Sequence, residues 1–161
     1  MVAFAPAGGW ALGDESFRET LAFFGSTYEQ VQAAAPHADA IAASENGRRR
    51  ATRFITERYE HLPPDLVAHQ IVGAARCEAT LPLIDRALRD RWNLDPSRVD
   101  CPVRIVWGTA DRVLEWPRAA HRYRHDWFPH ADWVVLDGVG HCPQLDVPLE
   151  AAELILGTTA A

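Results

Sequence analysis

Pro102-Val103-Arg104-Ile105-Val106-Trp107, which runs into Gly108-Thr109-Ala110-Asp111, and Trp133-Val134-Val135-Leu136, which runs into Asp137-Gly138-Val139-Gly140-His141, are two short apolar strands of one design. Each is rich in β-favouring residues, stops at a turn and delivers one ionisable side chain in the loop beyond it. Near-continuous apolar residues with a single Arg fit a strand covered on both faces, and such strands belong to parallel sheets flanked by helices. A carboxylate and an imidazole set just past two such strands can meet at one end of the sheet. That is the geometry of an orienting acid and its histidine base.

Working outward, Val2-Ala3-Phe4-Ala5 is a short apolar run punctuated by Pro6-Ala7-Gly8-Gly9-Trp10, and it reads as the tail of a strand whose beginning is absent. Asp14 is placed to cap a helix on which Phe17, Leu21, Phe24 and Tyr28 make one apolar face. From Pro36 to about Trp92 the pattern is helical throughout. Phe54, Ile55, Tyr59 and Leu62 form one short face; Asp65 can cap a helix carrying Val67, Ile71 and Val72; Leu83, Ile84, Ala87 and Leu88 carry another. Several short helices broken by Pro suggest a cap over something. The Arg48-Arg49-Arg50 run reads as a solvated face beside Glu45 and Glu57 rather than an anion site. Asn93 to Ser97 is a turn-rich hinge, Pro117 opens a helix through about Asp126, and Asp146 is placed to cap a last helix carrying Leu149, Ala152, Leu154 and Ile155. Strand, helices, strand, helix, strand, helix is an α/β order.

Composition narrows the function classes. With 161 residues, 48% hydrophobic and 24% charged, the chain can bury a core as one globular domain. A formal charge of -6 offers no electrostatic footprint for nucleic acid. All sixteen basic residues are Arg, which reads as genomic base composition. No apolar run is long enough to span a bilayer and no signal peptide is visible, so a cytoplasmic protein with no membrane partner is expected. Cys77, Cys101 and Cys142 are odd in number and lack C-x-x-C spacing, so reduced thiols are expected.

The two strand ends also carry a resemblance. Val103 to Asp111, followed by Gly138-Val139-Gly140-His141-Cys142-Pro143-Gln144-Leu145-Asp146-Val147-Pro148, resembles the C-terminal part of an α/β-hydrolase, whose pattern is I-x-G-x-x-D and then G-H-x-P-x-x-[DE]-x-P. Pro6 to Trp10 resembles the turn after that family's sixth strand. The resemblance implies the fold class: the C-terminal portion of an α/β-hydrolase fold, with about three mostly parallel strands, flanking helices and an inserted helical lid. It implies a partial core at 1–35 and 93–161, and a lid at 36–92. It also implies that Asp111 accepts the Nδ1 proton of His141 and that His141 Nε2 acts as the base.

The family's nucleophile elbow, G-x-S-x-G, is missing. Ser16, Ser26, Ser44 and Ser97 lack glycine on both sides at two residues' distance, and Cys77, flanked by Ala75 and Ala79, lies in a helical neighbourhood. The oxyanion hole is missing with it. The expectation is the back half of an ester-, thioester-, amide- or carbon–carbon-cleaving enzyme that contributes only acid and histidine, with near-background esterase activity by itself. The other reading is a non-catalytic fragment or binding module, in which Asp111 caps a helix and His141 is a satisfied loop histidine. A partly apolar small-molecule substrate is expected, lined by Trp10 and Trp116 unless these are plain core like Trp107. No cofactor is expected. His121 and His125 have the i,i+4 spacing of a zinc pair, but Arg122 replaces the Glu of H-E-x-x-H, so no metal is expected either. The strand edge at Val2 to Ala5 predicts self-association.

Overall fold

The computed structural model describes residues 1–90 and 93–159. Along the chain come β1 (Val2–Phe4), α1 (Ser16–Ala34), α2 (Ala38–Ala43), α3 (Glu45–Thr52), α4 (Pro64–Ala75), α5 (Thr80–Asp90), β2 (Arg104–Gly108), β3 (Asp132–Leu136), α6 (Pro143–Asp146) and α7 (Pro148–Thr159). These elements form two compact units. One holds Met1–Asp14, Phe54–Glu57 and the described residues from 93 on; the other holds Glu15–Arg53 and residues 58–90.

The first unit is built on three parallel strands in the order β1-β2-β3. β2 pairs through Val2↔Arg104 to Phe4↔Val106 on one side and Arg104↔Asp132 to Gly108↔Leu136 on the other. Its apolar run explains its central place, since Ile105, Val106 and Trp107 are each no more than 1% exposed. On one face Val106, Leu136 and Val139 form a core against Val2, Phe4, Val134, Val147 and Leu154. On the other, Trp116 lies between Trp107 and Trp133, with ring centroids 6.1 and 6.2 Å away. The indole N–H of Trp107 donates to Leu114 O at 2.9 Å, so the buried ring leaves no orphan donor. The single Arg of the run sits at the strand's start, where Arg104 pairs with Asp132 at 2.6 Å and donates to Leu154 O of α7 at 2.6 Å.

The second unit is helical. Small residues let its helices approach: Ala38 and Ala42 of α2, and Val67 and Ala68 of α4, are buried. Phe17, Leu21, Phe24 and Tyr28 form a half-buried stripe on α1. Because α1 packs on α4 and α5, it groups with this unit, whereas the sequence reading set the boundary after residue 35. The expected lid end at Trp92 lies outside the described residues. Arg48 donates to Ala42 O and Ala43 O at the end of α2, where a cation suits the helix dipole, while Arg49 and Arg50 are exposed.

Several local expectations change. Asp14 forms a two-pronged pair with Arg118 at 2.7 and 2.8 Å, and α1 starts instead behind Glu15. Asp65 stands in the first turn of α4 behind Pro63 rather than at its cap. Leu83, Leu149 and Ile155 are exposed, and the inward residues are Ala87 on α5 and Ala151 and Leu154 on α7. Pro117 leads into a 3-10 turn, Arg118–Ala120, and then a π turn, Tyr123–Trp127. Most consequentially, no helix covers Phe54 to Glu57. α3 ends at Thr52, and these four residues belong to the sheet-bearing unit.

Candidate active site

The loops after β2 and β3 meet because Gly108 ends β2 without a side chain. A Cβ there would lie 2.1 Å from Val139 O, so only glycine lets the backbones approach so closely. Ala110 N then donates to Val139 O at 3.0 Å, and the Thr109 hydroxyl bonds the Asp137 carboxylate at 3.0 Å while accepting from Gly138 N at 2.9 Å. Gly138 takes φ +66°, the left-handed turn that reverses the second loop.

Asp111 is 3% exposed. Its Oδ1 accepts from Val113 N and Leu114 N, both at 2.8 Å, so its own loop fixes the carboxylate. Oδ2 is left for His141 Nδ1, at 2.9 Å. A carboxylate has no proton to give, so Nδ1 donates and, in the neutral ring, Nε2 carries the free lone pair. The His141 side chain is 23% exposed while that of Asp111 is fully enclosed, so the acid is sheltered and the ring reaches the surface of the unit.

The histidine loop is held from farther away. Asp146, also 3% exposed, closes α6 and turns its carboxylate back: Oδ2 accepts from Gly140 N at 2.6 Å, and Oδ1 accepts from Glu57 N at 2.9 Å and from the Thr56 hydroxyl. Cys142 N donates to Ile55 O at 2.8 Å, and Arg112 pairs with Glu57 at 2.9 Å. Asp146, expected to cap α7, therefore braces the loop that carries His141. Ile55, Thr56 and Glu57 were missed from sequence because they sit in a stretch of helical composition. The one signal was Asp146 itself, a carboxylate within the histidine motif that needs donors.

Trp116 sits in the indole stack, with the Arg124 guanidinium 4.9 Å from its ring centroid, while Trp10 is half-buried in the turn after β1. The rings of His121 and His125 approach to 4.6 Å, yet among the described residues no group of three His, Cys, Asp or Glu side chains could hold a metal ion. Cys77 is exposed in the turn between α4 and α5, not between a strand and a helix. Burial, reinforced by Asp111 and Asp146, pushes the Cys142 thiol up to about 11, so it stays a thiol at neutral pH. No described helix is long and apolar enough to cross a membrane.

No protein-family model and no curated protein matches the sequence. Solved structures do. A bacterial membrane phospholipase A superposes with a TM-score of 0.51 at 19% identity, over 76% of this chain and 40% of the other. The 2-hydroxy-6-oxo-6-phenylhexa-2,4-dienoate hydrolase of Rhodococcus sp. strain RHA1 gives 0.50 at 17% identity, over 72% and 44%. The chain thus spans less than half the length of the structures it resembles. Three parallel strands with flanking helices, in the arrangement of these neighbours, make it part of an α/β-hydrolase fold.

Proposed function

We propose that this chain supplies the acid, Asp111, and the histidine, His141, of an esterase- or lipase-like hydrolase, and that the nucleophile and oxyanion hole come from outside these 161 residues. The observation that carries this is the enclosed Asp111 carboxylate, which spends Oδ1 on two backbone donors and Oδ2 on His141 Nδ1. In that arrangement His141 Nε2 takes the proton of an attacking hydroxyl and later returns it to the leaving group. Asp111 holds the tautomer and stabilises the imidazolium, without itself being protonated. No serine of this chain stands on a G-x-S-x-G elbow, which favours an external nucleophile. Residues 36–92 act as the lid, and Trp10 and Trp116 line a partly apolar substrate site. The outer edge of β1 takes further strands, or a second copy where those are absent.

The test is hydrolysis of p-nitrophenyl esters of graded chain length, by the 161-residue chain and by any longer polypeptide read in frame upstream of Met1. The chain alone should stay near background, and in an active longer polypeptide His141→Ala should cost about a millionfold and Asp111→Asn about ten-thousandfold in kcat. His141-dependent turnover by the chain alone would overturn the external nucleophile. A longer enzyme indifferent to both His141→Ala and Asp111→Asn would overturn the assigned roles.

A further inference from the structure

We infer that Thr56, acting through Asp146, is a positioning residue for His141, a role that rests on reading His141 as the base. The peptides on both sides of His141 are pinned. Gly140 N donates to Asp146 Oδ2 at 2.6 Å, and Cys142 N donates to Ile55 O at 2.8 Å. Asp146 is itself aimed by the same four-residue strap, because its Oδ1 accepts from Glu57 N at 2.9 Å and from the Thr56 hydroxyl. Thr56 is 4% exposed and Asp146 3%, so water does not stand in readily for either partner. The fit is tight as well as bonded: a Cβ on Gly140 would lie 3.1 Å from Asp146 Oδ2, 3.2 Å from Thr56 Cα and 3.3 Å from Ile55 O.

The strap also reaches the acid loop, since Glu57 pairs at 2.9 Å with Arg112, the neighbour of Asp111. Ile55, Thr56 and Glu57 therefore hold the histidine loop, and Glu57 also touches the acid loop, on the two sides of the 2.9 Å Asp111–His141 bond. Asp111 has its own backbone donors at Val113 and Leu114, whereas the histidine loop leans on the strap. Removing the Thr56 hydroxyl should loosen the ring, not the carboxylate. The strap is continuous in sequence with α3 before it and with the chain leading to α4 after it.

The experiment is solvent exchange of the His141 Nδ1 proton, followed by NMR on the full 161-residue chain. Thr56→Val keeps the volume and the branched Cβ but removes the hydroxyl. It should speed that exchange about tenfold, the scale of one lost hydrogen bond, and Thr56→Ser should restore it. The Trp107 indole proton, held by Leu114 O in the same unit, is the control and should not change. An unchanged His141 proton, or an equal change at Trp107, overturns the inference. If Thr56→Val does not fold, the wild-type amides decide: Gly140 and Glu57, which share Asp146, should show common protection, and about tenfold weaker protection at Gly140 would overturn it. The readout needs no substrate, so it can fail while the hydrolase reading stands, and the reverse.

Discussion

The loop after β2 and the loop after β3 do parallel work and are held by opposite means. The Asp111 carboxylate is held from within its own loop: it finds its two backbone donors two and three residues ahead. The histidine loop depends on distant chain, with Asp146 bridging Gly140 to Thr56 and Glu57 across about ninety positions. A short-range hold survives small displacements of the rest of the protein, because all its partners move together. A long-range hold makes the histidine's position a property of the whole unit. Each prediction below breaks one of these holds or sets one against the other.

The largest effect should come from Asp146→Ala. It strands Gly140 N, Glu57 N and the Thr56 hydroxyl, three donors that converge on one buried carboxylate, and should cost about 3–5 kcal/mol, the scale for removing one member of a buried charged network. The midpoint of urea unfolding at unchanged slope measures it. A loss below about 1 kcal/mol would mean that the strap does not brace the loop. Gly108→Ala comes next. Its Cβ would lie 2.1 Å from the Val139 carbonyl, so the two loops must separate, at about 2–3 kcal/mol on the scale of overpacked cores. His141→Ala should cost least, about 1 kcal/mol, because Asp111 keeps both backbone donors. If His141→Ala proved as damaging as Asp146→Ala, the backbone donors of Val113 and Leu114 would not suffice to hold Asp111.

The same division governs what the amino-acid sequence revealed. The buried central strand, the two strands beside it and the loops that deliver Asp111 and His141 rest on local signals: β-favouring runs, closing turns and glycine where backbones must cross. Those signals survive folding because neighbouring residues supply most of the partners. The strap was illegible for the converse reason. Phe54, Ile55, Tyr59 and Leu62 suit a short helix by composition, and only the demand of a carboxylate ninety positions away turns that stretch into an irregular brace. The face of α7 misled similarly. Leu149 and Ile155 are as apolar as Leu154, but only contact with the sheet selects Leu154 and Ala151 as its inner surface. Asp14 is a good cap by residue type, and its two-pronged pairing with Arg118, 104 positions ahead, lies beyond any local rule.

Cys142 allows the two loops to be probed with the least disturbance, since it stands beside His141 and feels both carboxylates. Cys77 and Cys101 are exposed, whereas burial, with Asp111 and Asp146 adding to it, pushes Cys142 up to about 11 from an ordinary 9.0. A thiol reagent at pH 8 should therefore label two cysteines quickly and the third slowly, and Asp146→Ala should speed the slow one by opening its loop. The sign of the pH effect follows from the direction of the shift. The folded state holds the Cys142 proton more tightly than the unfolded chain does, so its contribution to stability is complete below pH 9 and is lost as pH rises from about 9 to about 11. Tyr123, pushed up to about 12 from 10.0 chiefly by burial, extends the loss over the next window. Cys142→Ala should flatten the lower part of this alkaline decline and leave the upper part. Its unfolding midpoint between pH 8 and 11 would then fall less than that of the parent chain, whereas parallel curves would show that Cys142 is not enclosed by the braced loop.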